Sequence, residues 1–394
     1  MNKSIIFITL LFCNSVFAQN YFTSYYDSAK TILKEKYQVI KKKRKEIKHG
    51  TYEIYYENGK LWQKGLFVND SLDGYWIDNY IDGSINQEIN YKNGSLEGIT
   101  KTYDITGQIL QIEPYKNNLL NGKLIIYYTN GILMEESEYN MGILNGKTIS
   151  YLENGKIRAI RNFKNGIEEG EFVEYFENEK IKEKSFKVKG IYDSLFTGYY
   201  KDFKDGDVQK KCYYKNGKLN GLFTGYYPSG NIMMECNYIN DNIEGQYILY
   251  FDVNDTLNLK GGIKETGLYK NDTKTGLWKS FYPNGKLHTI GNFVNNLLDG
   301  EWFIYYENDV LKQCGTFLNG TEVGAWNFYT KSGKVFYEGK FIDGKKEGTW
   351  LWYYDNGKIW KEIKYIGNSI QYPVKTYDES GKCIESFKQE EDNK

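Results

Sequence analysis

Proline and histidine are almost missing from this chain of 394 residues, which has four of the first and two of the second, His49 and His288. Two imidazoles are too few for the usual metal or acid-base constellations, which draw on several histidines together with carboxylates or thiolates. So little proline leaves long stretches free to run as hydrogen-bonded strands. An excess of one charge is missing as well, since 51 basic and 51 acidic residues cancel to a net charge of 0. No overall field then draws in nucleic acid or an anionic membrane. No apolar run approaches the roughly 20 residues that a membrane-spanning helix needs. The phosphate loop GxxxxGK(S/T), the HExxH helix and the GxSxG elbow are also lacking. "DFKDGD", from Asp202 to Asp207, sets carboxylates near a glycine. Its spacing is not that of a calcium loop, and it reads as a turn. The expectation is a protein that is not an enzyme, with no cofactor and no metal.

What is abundant points the same way. The chain holds 40 glycines and 38 tyrosines, and its aromatic content of 17% favours strands joined by tight glycine turns. At the start, "MNKSIIFITLLFCNSVFAQN" has a lone Lys3, an apolar run from Ile5 to Phe12 and small residues ending at Ala18. That is the pattern of a secretory signal, residues 1–18, with cleavage after Ala18. Acylation at Cys13 is the alternative, and bulky Phe12 before it fits that poorly. The expected address is exported: periplasmic, associated with the outer membrane, or secreted. Four cysteines remain beyond the signal: Cys212, Cys236, Cys314 and Cys383.

Gly50, Gly74, Gly98, Gly122, Gly146 and Gly170 fall 24 residues apart, as do Gly276, Gly300, Gly324 and Gly348. Gly198, Gly221 and Gly245 lie between, with small insertions before Gly198 and Gly276. A fixed period of this size marks an array of small supersecondary units, here thirteen. With the leading glycine as position 0, position 9 is again mostly glycine and often follows asparagine, as in Asn58-Gly59 and Asn284-Gly285. Asn-Gly between two strand-like runs predicts a hairpin closed by a type I′ turn.

That turn sets 6 opposite 11, 4 opposite 13 and 2 opposite 15, on one face. The face is apolar, with an aliphatic row at position 11 (Leu61, Ile85, Leu311) and tryptophans at position 2 (Trp76, Trp278, Trp302, Trp326, Trp350). The aromatic residue seven before each next glycine, such as Phe67 or Phe293, joins it. Gly65, Gly291, Gly315 and Gly339 at position 15 stand opposite Tyr52, Trp278, Trp302 and Trp326, the arrangement in which a ring fills the gap over a cross-strand glycine. Cys212 and Cys236 take the same slot in adjacent repeats, about 10 Å apart by strand spacing. That is too far for a disulfide, so four free thiols are expected.

The fold class expected is all-β: an elongated single-layer antiparallel meander of about thirteen hairpins, on the order of 120 Å long, with a short N-terminal helix. The helix is assigned to residues 19–49, where Leu33, Tyr37, Ile40 and Ile47 share one helical face and Asp27 or Ser28 can cap it. It would cover the open first strand. Hairpin repeats follow over 50–371, and residues 372–394 form a degenerate half-repeat and tail. Pro373 there is placed to blunt the last strand. The run from Lys41 to Lys45 reads as a solvated face.

Position 5 is aromatic in twelve repeats: Tyr55, Tyr103, Tyr127, Tyr151, Tyr175, Phe203, Tyr226, Tyr250, Phe281, Tyr305, Tyr329 and Tyr353, with Asn79 the exception. By parity these rings face away from the tryptophans. They can stiffen the sheet through cross-strand contacts, or serve as a row of anchors. The tyrosines among them are the candidate partner-binding residues. The expected partner is a protein, with a polysaccharide as the alternative, no nucleic acid and no transmembrane segment.

The aligned pattern G-x-W-x-x-Y-Y-x-N-G-K-L, followed by F-x-x-G-x-x-x-G, resembles the MORN repeat in the variant form of bacterial YwqK-like antitoxin-type proteins. "GLWKSFYPNGKLHTIGNFVNNLLDGEWFIYYEND" (Gly276 to Asp309) and "GTWLWYYDNGKIWKE" (Gly348 to Glu362) carry it most clearly. The resemblance implies an elongated meander acting as a protein-binding or scaffolding surface, sometimes an immunity partner that neutralises a toxin. An export signal departs from the antitoxin type, which often acts inside the cell.

Overall fold

A computed structural model describes residues 20–201, 207–254 and 259–387. The leader 1–18 with Cys13, Phe203 and the tail from Lys388 lie outside the described residues. Among them every regular element is a strand. No helix of the described residues is long and apolar enough to cross a membrane. Thirty-four strands pair antiparallel with chain neighbours, while Val253–Asn254 and Leu259–Lys260 form a small separate ladder. Contacts divide the chain into two compact units, one ending at Glu168 and one beginning at Glu169. Both are built from the same hairpin.

The expected N-terminal helix does not form. Strands β1 (Asn20–Tyr25), β2 (Leu33–Lys42) and β3 (Lys45–Tyr55) occupy its place, with Phe22 opposite Tyr37 and Tyr37 opposite Tyr52. Phe22, Tyr37 and Tyr52 stack, at 4.8 and 5.9 Å between centroids. The segment is thus a further hairpin without glycine. Asp27 caps no helix: its carboxylate accepts the amides of Thr31 and Ile32 in the first turn. The basic run from Lys41 to Lys45 is the tip between β2 and β3, with Lys43 and Arg44 at φ 47° and 70°.

The Asn-Gly turns are not type I′. Gly59 is left-handed at φ 79° while Asn58 is not, Gly59 donates to the Tyr56 carbonyl, and Tyr56 donates to that of Lys60. This is a three-residue loop with a glycine bulge. The two-residue type I′ geometry occurs instead at the links between hairpins, as at Asn319 and Gly320 with φ 50° and 81°.

That bulge changes the register near the turn. Trp302 pairs with Gly315 and Ile304 with Gln313 as expected, but the next pair is Tyr305 with Leu311. Two residues then oppose one and the alternation slips, so Leu311 stands across from Tyr305 rather than on the side of Trp302. The same shift recurs at Tyr55 and Leu61. The position-11 row therefore lines the tyrosine side.

The insertions also move. Phe196 pairs with Cys212 and Tyr199 with Val208, so Ser194, not Gly198, leads that repeat. Tyr199 takes the place given to Phe203. In the repeat led by Gly245, Tyr250 pairs with Ile263, which takes position 11 there.

On the other face each position-2 indole lies flat on a glycine. The ring covering Gly291 is Trp302 of the following hairpin, not Trp278 of its own; Gly315 and Gly339 are likewise covered by Trp326 and Trp350. Phe293 and Phe317 meet Trp302 edge-on at 5.3 and 6.2 Å, and the indole N–H donates to the Asn292 carbonyl at 3.1 Å. Lys274 places its ammonium 3.8 Å from the Trp278 centroid. Backbone below, rings beside and, at Trp278, an ammonium above let one sheet layer bury an indole. Trp350 is 0% and Trp302 8% exposed. At roughly 200 Å² per ring and about 25 cal/mol/Å², each contributes up to about 5 kcal/mol. Cys212 and Cys236 are buried free thiols in this layer, and burial pushes the Cys236 thiol up to about 11.

Candidate functional site

The tyrosine face is built by the same alternation. In the first unit Tyr55, Tyr103, Tyr127 and Tyr151, and in the second Tyr175, Tyr226, Tyr250, Tyr305, Tyr329 and Tyr353, are all half-buried. For several of these rings, residue 14 of the preceding hairpin is a neighbour. Where it is Glu88, Glu235 or Glu338, the phenol donates to it: Tyr103 to Glu88 at 2.8 Å, Tyr250 to Glu235 at 2.9 Å and Tyr353 to Glu338 at 2.6 Å. Tyr377 does the same with Glu362 at 3.1 Å. Where it is Cys314, the Tyr329 hydroxyl lies 4.0 Å from the sulfur; where it is Lys211, the ammonium stands over the Tyr226 ring. Ile112 and Ile290 occupy that position ahead of Tyr127 and Tyr305.

Lysines complete the network. Glu88 pairs with Lys101 at 3.5 Å and Glu362 with Lys375 at 3.0 Å. Glu53, which accepts from Tyr55 at 2.8 Å, pairs with Lys64 at 2.9 Å. Its carboxyl is held below the usual carboxylate range, chiefly by that Lys64 bond. Burial, then the glutamate bond, pushes the phenols of Tyr103 and Tyr353 up to about 12.

Between consecutive hairpins this face is notched. One open recess is lined by Tyr353, Asp355, Asn356 and Gly357 on one side and Lys334, Val335 and Glu338 on the other. Another has the same make-up, with Tyr55, Asn58 and Gly59 facing Thr31, Ile32 and Leu33. Each sets a half-covered phenol against an aliphatic position-11 residue. Among the described residues no cluster of histidine, cysteine and carboxylate side chains could hold a metal ion.

Two further sets of residues escaped the sequence reading. The tyrosine at position 6 reaches the next hairpin: Tyr282 donates to the Tyr305 carbonyl, Tyr306 to that of Tyr329 and Tyr354 to that of Tyr377, at 2.8, 2.9 and 2.8 Å. These acceptors sit beside bulges, where the ladder is interrupted. The turn asparagines act in parallel, Asn308 donating to the Lys331 carbonyl at 2.9 Å. The repeated Tyr-Tyr-x-Asn was the available signal.

Nine segments, residues 48–69, 96–117, 120–141, 144–165, 168–186, 219–240, 274–295, 298–319 and 346–366, match a known family, each starting two residues before a leading glycine. They match the MORN repeat variant. The MORN-variant segments include the repeats of Tyr55, Tyr103, Tyr127, Tyr151, Tyr175, Tyr226, Tyr305 and Tyr353. No curated protein matches the chain. Among solved structures, the crystal structure of TcdB2-TccC3-Cdc42 aligns over 92% of this chain and 26% of its own at 9% identity and a TM-score of 0.16. The Photorhabdus luminescens Tc holotoxin pore aligns over 92% and 20% at 11% identity and a TM-score of 0.16. The chain thus spans about a quarter of the first of these, and at such TM-scores the likeness bears on neither fold detail nor function.

Proposed function

We propose that this chain is a non-enzymatic repeat scaffold whose tyrosine face binds a protein partner in the envelope of a bacterium. The observation that carries the reading is the recurrence of one shallow recess, at Tyr55 and again at Tyr353, each pairing a half-exposed ring with polar and charged neighbours. Catalysis concentrates its groups once, in a deep site; an extended partner is served by moderate anchors with polar rims, repeated. Sugar stacking is less well served, because ring faces are half covered and several hydroxyls are committed to carboxylates. The envelope address rests on residues 1–18, and neutralising a toxin is one form such a partnership takes.

The test compares the wild-type chain with a Tyr305→Ala, Tyr329→Ala, Tyr353→Ala variant as bait in envelope extract. We expect one protein to be retained by the wild type and lost with the variant, whose tryptophan emission stays native. Equal retention by both, or retention only on isolated cell wall, would reject the reading. Fractionation tests the address separately: wild-type chain found only in the cytoplasm would remove the envelope part.

A further inference from the structure

Among the described strands of five residues or more, two have a partner on one side only: β1 (Asn20–Tyr25), paired with β2, and Cys383–Phe387, paired with Ser369–Tyr377. Open edges are normally blunted by charge, proline or a cover. Here they are not. β1 reads NYFTSY, with no charge and no proline, and the last strand reads CIESF, with one carboxylate. Pro373 lies one strand in from the end, and the pairing of Val374 with Phe387 begins just beyond it.

The edges also correspond. Phe22 pairs with Tyr37 as Trp302 pairs with Gly315, so it stands at position 2, where the buried rings of the array lie. Yet Phe22 is 44% exposed, against 8% for Trp302 and 0% for Trp350. Among the described residues no preceding hairpin covers it, as one covers those indoles. The last strand, for its part, ends at position 15, the residue that an incoming position-2 ring crosses.

We propose that β1 of one copy pairs antiparallel with Cys383–Phe387 of a second copy of this chain, joining the two head to tail in the register used inside the chain. Within the chain Gly291 meets Trp302, Ile290 meets Phe303 and Thr289 meets Ile304. The equivalent pairs between copies are Phe387 with Phe22, Ser386 with Thr23 and Glu385 with Ser24. Two bulky residues are accommodated at this crossing, as Tyr37 and Tyr52 show. Pairing β1 with its own copy would set two position-2 residues face to face, which none of these joints does. Because the two edges differ, the contact is heterologous and each chain can take part in two.

The experiment uses the full chain with Cys383→Ser, carrying either Thr23→Cys or Ser386→Cys. Directly opposed residues bring their Cβ atoms to about 5 Å, close to disulfide reach. Mild oxidation of the mixture is expected to give a mixed covalent dimer that neither preparation gives alone. By light scattering, the mass of the unmodified chain should rise with concentration, and Phe22→Lys should abolish the rise while tryptophan emission stays native. Thr23→Lys, on the other face of the same strand, provides a second block should Phe22→Lys misfold. Cross-linking of Thr23→Cys chains with one another, or a monomer mass at every concentration, overturns the proposal.

Discussion

Gly291 lies beneath the indole of Trp302, so close that a methyl group added to its backbone would stand 2.2 Å from two ring atoms. Neither the ring, held edge-on by Phe293 and Phe317, nor the strand can move cheaply. Gly291→Ala should therefore cost about 3 kcal/mol in urea unfolding, at the upper end of overpacking losses. Trp302→Ala should cost about 4 kcal/mol. The double variant decides the cause. With the indole gone the alanine has room, so the pair should lose no more than Trp302→Ala alone, a coupling of about 3 kcal/mol; additive losses would show that the glycine serves something other than the ring.

Tyr306 tests the joint between hairpins. Its hydroxyl donates to the Tyr329 carbonyl at 2.9 Å, and Asn308 holds the Lys331 carbonyl two residues on. Tyr306→Phe keeps the ring and removes the donor, so a loss of about 1 kcal/mol is expected. Adding Asn308→Ala should speed amide exchange around Tyr329 to Lys331 while the amides near Trp326 stay protected. Uniform exchange along the chain would contradict a local staple.

The two faces differ in how plainly the sequence announces them. Trp302 and Gly291 are 11 residues apart, and that spacing recurs at Trp326 with Gly315 and Trp350 with Gly339, so the buried face could be read from residue types. The pairs 2 with 15 and 4 with 13 were legible too. Beyond them the reading failed at the turn, because a three-residue loop with a bulge and a two-residue type I′ turn fit the same 24-residue repeat. Leu311 changed sides as a result. The tyrosine row itself was visible, but the carbonyls that receive Tyr282 and Tyr306 belong to the backbone, and no side-chain pattern displays them. The first hairpin was misread because Leu33, Tyr37, Ile40 and Ile47 match a helical period, while the irregularity between Tyr37 and Val39 breaks strict alternation.

Alkaline titration probes the candidate face. Burial, then the bond to Glu338, pushes the Tyr353 phenol from its ordinary 10.0 up to about 12. The raised value means the folded state favours the neutral phenol, so its contribution is whole below about pH 10 and disappears as pH climbs through about 12. Stability should fall within that window, and Tyr353→Phe should flatten the fall. Glu338→Gln keeps an acceptor but removes the charge, so tyrosinate absorbance of the folded protein should show one phenol ionising at lower pH. An unchanged titration in that variant would disprove the link between Glu338 and Tyr353.

Lys43 and Arg44 separate the observed first hairpin from a helix. Both sit at the tip between β2 and β3 with positive φ, 47° and 70°, where Lys42 pairs with Lys45. Left-handed backbone costs a side-chain-bearing residue about 1 kcal/mol, and two neighbouring cations at a tight tip repel each other. Lys43→Asn with Arg44→Gly supplies the pair that a type I′ turn prefers, so the variant should gain about 1 kcal/mol and its N-terminal amides should exchange more slowly. In a helix the same glycine would cost about 1 kcal/mol. The sign of the change, read from a urea midpoint together with amide protection over residues 33–55, therefore distinguishes strand from helix. A loss of stability with faster exchange there would restore the helix and remove the exposed edge on which head-to-tail pairing depends.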